Sequence, residues 1–338
     1  MLTIIIIIMG SCSCWLTPGK EQNGLQGSGK LMQSAPVQIP SMHPKIYVLA
    51  EKVFSSKAST VETVDLKDRD IGDEGGRYLS AILPYLNNLL YLNLEFTNIS
   101  GGIWEQILIS LEDMSSIKHL NLSKNQLNEK NIEILTMGIE KNTSLEALIL
   151  ESVGLTSTGM NTLCRSLTFL THLKILSLSN NSIGDFGLSS LSNILGYIEN
   201  LEFLDVTQNQ MSHISTPFFA EGLSKLHKIK VLKIGDNQLK DEGFIKVIKN
   251  VSASIEELCL NSIGISAAGF KVLCELLPKF GSLMYLYLDY NSISQRSSKM
   301  LIDILPELKL KHLSLIGCDV SNHRKALSLA QSSTEVFI

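Results

Sequence analysis

Residues 173 to 195 read LKILSLSNNSIGDFGLSSLSNIL, and the spacing of the apolar side chains changes inside that stretch. Leu173, Leu176 and Leu178 follow LxxLxL, which with Asn181 and Ile183 behind them predicts a short strand and its exit turn. Past Gly187 the apolar positions fall at helical spacing, at Leu188, Leu191, Ile194 and Leu195, and predict a helix. The same signature begins at Val61, Leu89, Ile117, Leu145, Leu173, Leu201, Ile229, Ile255, Leu283 and Leu310. The step is 28 residues except for 26 before Ile255 and 27 before Leu310. Such a period over most of a chain marks a solenoid, whose units bury their apolar faces against one another.

In each unit the last two leucines of LxxLxL are expected to point inward from the strand, while the third and fifth positions face out. Asn at the ninth position, as Asn125, Asn181, Asn209, Asn237 and Asn291, suits the backbone groups left open where the strand ends. Arg69, Thr97, Val153, Ile263 and Cys318 interrupt that ladder. Asp73, Asp185 and Asp241, in IGDEG, IGDFG and LKDEG, are expected to cap the helix that follows them. Gly75, Gly159, Gly187, Gly243 and Gly269 would let neighbouring helices approach, and Pro84, Pro278 and Pro306 stop the helix at a common position.

Strands stack about 4.8 Å apart, whereas helices are roughly 10 Å wide. An array of such units must therefore bend, giving an α/β horseshoe with parallel strands on the concave face and helices on the convex one. Ten strands make an inner wall on the order of 45 Å long, the scale of a protein surface and far beyond a metabolite. The units, with LxxLxLxxNxI, IGDEG and a full helix, resemble leucine-rich repeats of the ribonuclease-inhibitor type, found also in innate-immunity receptors and Ran GTPase-activating proteins. The resemblance covers residues 61 to about 330. It implies protein binding without catalysis on the concave face, with GTPase activation of the Ran type as the alternative, for which Arg69 and Asn98 are the N-terminal candidates.

The ends read differently. MLTIIIIIMGSC, residues 1–12, is an apolar run too short for a bilayer-spanning helix, which needs about 20 residues, and reads as an export signal. Met9, Gly10, Ser11 and Cys12 resemble a bacterial lipobox, which implies lipid attachment at Cys12, although no Lys or Arg precedes the apolar run and Leu is the usual first residue. Residues 13–44 are rich in Gly, Ser, Gln and Pro and are expected to be a flexible linker. GLQGSGKL within it lacks the Ser or Thr, the strand and the helix of a phosphate-binding loop. Residues 45–60 are assigned to a helix capping the first repeat, 61–309 to the repeats, and 310–338 to the last repeat and a C-terminal cap. An isolated array behind such a leader resembles bacterial surface or host-directed proteins. The expectation is an exported chain, membrane-anchored or secreted, with a cytoplasmic one as the alternative.

Charge and chemistry narrow the partner. Over 338 residues the net charge is −4, and no basic stripe is present to meet nucleic acid. The six cysteines show no CxxC and no Cys/His spacing, so neither a disulfide framework nor a metal site is expected. His119 and His312 fall far apart along the array, which leaves no catalytic constellation and no cofactor. A protein partner and a monomeric binder are expected. The outward positions propose its footprint: the apolar strip Ile149, Ile175, Phe203 and Val231, the polar Asp205, Lys233 and Glu257, and the aromatics Tyr91, Tyr285 and Tyr287. Phe96 and Tyr290 extend it at the strand exits. Asp68, Glu95, Glu151, Asp236 and Asp289 outnumber Lys67 and Lys124 there, which favours a partner with a basic surface.

Overall fold

A computed structural model describes residues 43–320 and 335–337. Cys12, the leader and nearly all of the linker lie outside the described residues. Each repeat places a three-residue strand at its third to fifth positions: β1 Thr63–Asp65, β2 Tyr91–Asn93, β3 His119–Asn121, β4 Ala147–Ile149, β5 Ile175–Ser177, β6 Phe203–Asp205, β7 Val231–Lys233, β8 Glu257–Cys259, β9 Tyr285–Tyr287 and β10 His312–Ser314. An eleventh strand, β11 at Glu335–Phe337, follows in the C-terminal segment. All eleven form one open sheet in chain order. Every pairing is parallel, so equal positions of successive repeats stand side by side, as in Phe203 beside Val231.

The middle residue of each repeat strand, from Val64 and Leu92 through to Leu286 and Leu313, is no more than 2% exposed. Burying a side chain of this kind contributes about 1.5–3 kcal/mol, and the ladder repeats that gain at every step. Behind the sheet lie ten helices among the described residues: α1 Pro44–Phe54, α2 Gly72–Ile82, α3 Gly101–Ser110, α4 Glu129–Glu140, α5 Ser157–Leu167, α6 Gly184–Ile194, α7 Thr216–Leu223, α8 Lys240–Ile248, α9 Ala267–Leu276 and α10 Gln295–Ile304. α1 buries Ile46, Leu49 and Ala50 at the N-terminal end of the array. Each later helix packs on the next one. The result is a leucine-rich-repeat solenoid, strands on one wall and helices on the other.

Local chemistry explains the junctions. Asn181 Nδ2 donates to the carbonyls of Leu150, Leu178 and Ser179, while its Oδ1 accepts from the amides of Val153 and Leu155. Thr97 keeps part of this pattern by donating to Leu94 O, and Cys318 does so by donating its thiol to Leu288 O at 3.3 Å. The interrupted ladder is thus bridged at those two repeats by shorter donors. The 26-residue repeat takes its deletion behind α8, which runs directly into a loop where Ser252 and Ser254 bond His227 O. Register with β8 survives unchanged.

The aspartates expected as caps act elsewhere. α2, α6 and α8 begin one residue before Asp73, Asp185 and Asp241, and their N-caps Ile71, Ile183 and Leu239 make no side-chain bond. Each carboxylate instead reaches the following repeat. Asp73 accepts from Ser100 N at 2.7 Å and Ser100 Oγ at 2.9 Å, Asp185 from Ser212 N at 2.8 Å and Ser212 Oγ at 2.6 Å, and Asp241 from Ser266 N, Ser266 Oγ and Gly269 N. They satisfy open donors at the neighbour's helix start, which a single repeat read alone does not reveal.

Candidate functional site

The outward strand positions form two parallel rows. In the first, Ile175, Phe203 and Val231 succeed one another on β5, β6 and β7. Ile149 lies in the second row, diagonal to Ile175, because its register partner on β5 is Ser177. The apolar strip is therefore three residues in line with a fourth offset, and all four are half-buried on the pleat. It ends at Ala147, which is 1% exposed, and at Glu257 on the other side.

Polar residues tie the strip down. Lys233 Nζ stands 5.4 Å above the Phe203 ring and 3.1 Å from Glu257 Oε1. Burial lowers the affinity of Lys233 for its proton, but the hydrogen bond and charge of Glu257 outweigh it and hold the ammonium above its ordinary value. Asp205 accepts from Thr207 N at 2.9 Å. Burial pushes its carboxyl above the usual carboxylate range against that bond.

Aromatics gather at both ends. Tyr91 faces the His119 ring at 5.9 Å and takes the Asn93 amide on its hydroxyl at 3.2 Å. At the C-terminal end Tyr287, His312 and Phe337 stack in succession with ring centroids 4.8 Å apart, beside Tyr285. Phe337 was not among the residues expected from sequence. It belongs to β11, and its only signal was the EVF alternation beyond the last LxxLxL.

The acidic excess at the strand exits is partly cancelled. Glu95 is 6% exposed and sits between Lys67 at 3.0 Å and Lys124 at 2.6 Å. Burial alone would raise its carboxyl, yet the bonds from Lys124 and Lys67 bring it below the usual range. Asp289 is occupied by Ser314 Oγ and by Ile316 N at 2.8 Å. Asp68 and Asp236 remain exposed. Of the N-terminal polar candidates, Arg69 is exposed and Asn98 donates to Asp70 at 2.9 Å. No group of three or more His, Cys, Asp or Glu side chains is placed to hold a metal among the described residues.

One backbone feature organises the rim. The eighth residue of all ten repeats has positive φ, between 51° and 72°. Asp68, Lys124, Ser152, Asn180, Gln208, Asp236, Ser262 and Gly317 occupy eight of these places. Phe96, at 52°, and Tyr290, at 56°, occupy the other two, with 59% and 67% of their surfaces exposed. The Tyr290 ring lies over Gly317, where an added Cβ would stand 2.5 Å from Cδ1.

Residues 57–80, 169–192 and 225–247 match the family model described as Leucine Rich repeat, so the chain carries leucine-rich repeats. No curated protein matches the chain. Among solved structures, an internalin from Listeria monocytogenes aligns over 86% of this chain and 93% of its own, with 14% identity and a TM-score of 0.42.

Proposed function

We propose that this solenoid is a non-enzymatic binding protein that holds a protein partner on its concave face and on the rim where the strands end. The observation that carries the reading is the pair Phe96 and Tyr290. A bulky residue in the left-handed region gives up about 1 kcal/mol or more, and the other repeats fill that place with small, polar or flexible residues. Neither ring closes the core. Two large aromatics kept exposed in an unfavourable backbone state are explained by a contact made outside the chain, and tyrosine and phenylalanine bring the area that anchors such contacts.

The rim pair flanks the floor residues Tyr91, Ile149, Ile175, Phe203, Val231, Tyr285 and Tyr287, so a partner spanning both rings covers the strip between them. Asp205, Lys233 and Glu257 give that floor its polar features, and exposed Asp68 and Asp236 suit a basic partner surface. The test immobilises the full chain and compares the proteins retained by wild type and by a Phe96→Asn/Tyr290→Asn variant, asparagine being at ease with positive φ. A protein held by wild type and lost by the variant supports the reading. An identical retained set overturns it. Export and lipid attachment at Cys12 belong to the same proposal, and fatty-acid labelling that is present in wild type and absent in Cys12→Ser is the expected result; labelling of neither removes the anchor.

A further inference from the structure

A recess of about 280 Å³ opens at the exits of β5 to β8, walled by Asn180, Asp205, Lys233, Asp236 and Asn261. Its origin is a missing side chain. The seventh position carries Ser179, Thr207 and Asn261 in the neighbouring repeats but Gly235 in this one. The backbone conformation does not require glycine here, because Gly235 is not among the positive-φ residues, although an added Cβ would press on the Asn261 backbone, 3.2 Å from its O. The recess is smaller than the roughly 300–1,000 Å³ of small-molecule sites. At that volume it has room for one large side chain.

Charge selects the kind. Lys233, the cation in the wall, is paired with Glu257 at 3.1 Å and lies over the Phe203 ring. Asp205 and Asp236 form no ion pair within 4.0 Å among the described residues, although Lys233 is the strand neighbour of Asp205 and its charge reaches that carboxylate. Asn180 uses its amide nitrogen on Ser152 Oγ at 2.6 Å, which leaves its oxygen as a further acceptor. Acceptors from several walls around a space one side chain wide suit a planar cation with five donors in a fixed fork.

We propose that the recess receives an arginine side chain of the partner protein, held by Asp205 and Asp236 with its plane over the bare Gly235 backbone. This rests on the concave-face reading and gives that surface its central anchor. The test needs no partner. Nα-acetyl-arginine methylamide is titrated into the full, deuterated and 15N-labelled chain while backbone amide shifts are followed, with the citrulline and lysine analogues as controls. Saturable shifts centred on Gly235 and Asp236 are expected, at least about tenfold weaker for neutral citrulline and for lysine, and lost in Asp205→Asn. Gly235→Thr, which copies the residue of the preceding repeat, should abolish them by filling the space, and Asp205→Asn keeps the test decisive if that variant fails to fold. Absence of saturable shifts, shifts elsewhere, or equal response to citrulline or lysine would overturn the proposal. The rim test with Phe96 and Tyr290 is read separately, so failure here leaves it standing.

Discussion

Asp185 offers the sharpest view of how the repeats are joined. Its carboxylate accepts from Ser212 N at 2.8 Å and from the hydroxyls of Ser212 and Ser215, all in the next repeat. In Asp185→Ala the two hydroxyls can turn to other acceptors, as Ser215 already does toward Ser212 O, but the Ser212 amide cannot. A hydrogen bond to a charged group contributes about 1.5–3 kcal/mol, and these share one acceptor and do not add. The expected loss is about 2–3 kcal/mol for alanine, and about half of that for asparagine, which keeps one acceptor oxygen. Burial would raise the Asp185 carboxyl, but its bonds to Ser212 and Ser215 win and lower it. A lowered folded pKa means the stabilisation is present above the ordinary carboxylate value near 3.8 and drains away as pH falls through the folded one. Urea unfolding followed by circular dichroism at pH 7 and at pH 3 measures both. The difference between wild type and Asp185→Asn should shrink at the lower pH. An alanine variant within about 0.5 kcal/mol of wild type at pH 7 would refute the staple, since surface changes alone stay in that range.

Two further predictions concern packing. A Cβ on Gly243 would stand 2.9 Å from Thr216 Cγ2 and 3.0 Å from His213 Cα, so Gly243→Ala should destabilise by about 1–3 kcal/mol, whereas Gly102→Ala in α3 meets nothing within 4 Å and should stabilise by up to about 1 kcal/mol; thermal unfolding of the pair decides, and equal effects would contradict the close helix approach. Burial pushes the thiols of Cys164 and Cys274 up to about 12, so iodoacetamide at pH 8 should leave both unmodified by mass spectrometry until the chain is unfolded, and rapid labelling of the native chain would contradict their burial.

The architecture was legible because each strand is announced three residues deep by the same leucines. Val64, Leu92 and the residues that follow them needed no neighbour to be recognised. The aspartate staples were not legible, since a residue at a helix start reads as its own cap unless the next repeat is placed beside it. β11 escaped for a different reason: three residues without LxxLxL carry too little pattern to announce a strand. The rim was half visible. Asp68, Asn180, Asp236 and Gly317 at the eighth position hint at left-handed backbone, and aligning Phe96 and Tyr290 with them would have exposed the anomaly. Their place in the expected footprint came instead from aromatic character and from standing at the strand exits. The recess could not be seen in one repeat, because Gly235 matters only against Thr207 and Asn261 on either side.

The central claim is that the strand wall and its rim, rather than the helical wall, meet the partner. Hydroxyl-radical footprinting of the chain with and without a captured protein tests it directly, because aromatic rings report on both walls. Tyr91, Phe96, Phe203, Tyr285, Tyr287 and Tyr290 should be protected, while Phe186 and Phe218, exposed by 65% and 55% on α6 and α7, stay reactive. Protection of Phe186 and Phe218 with the six concave and rim aromatics unchanged would contradict the account.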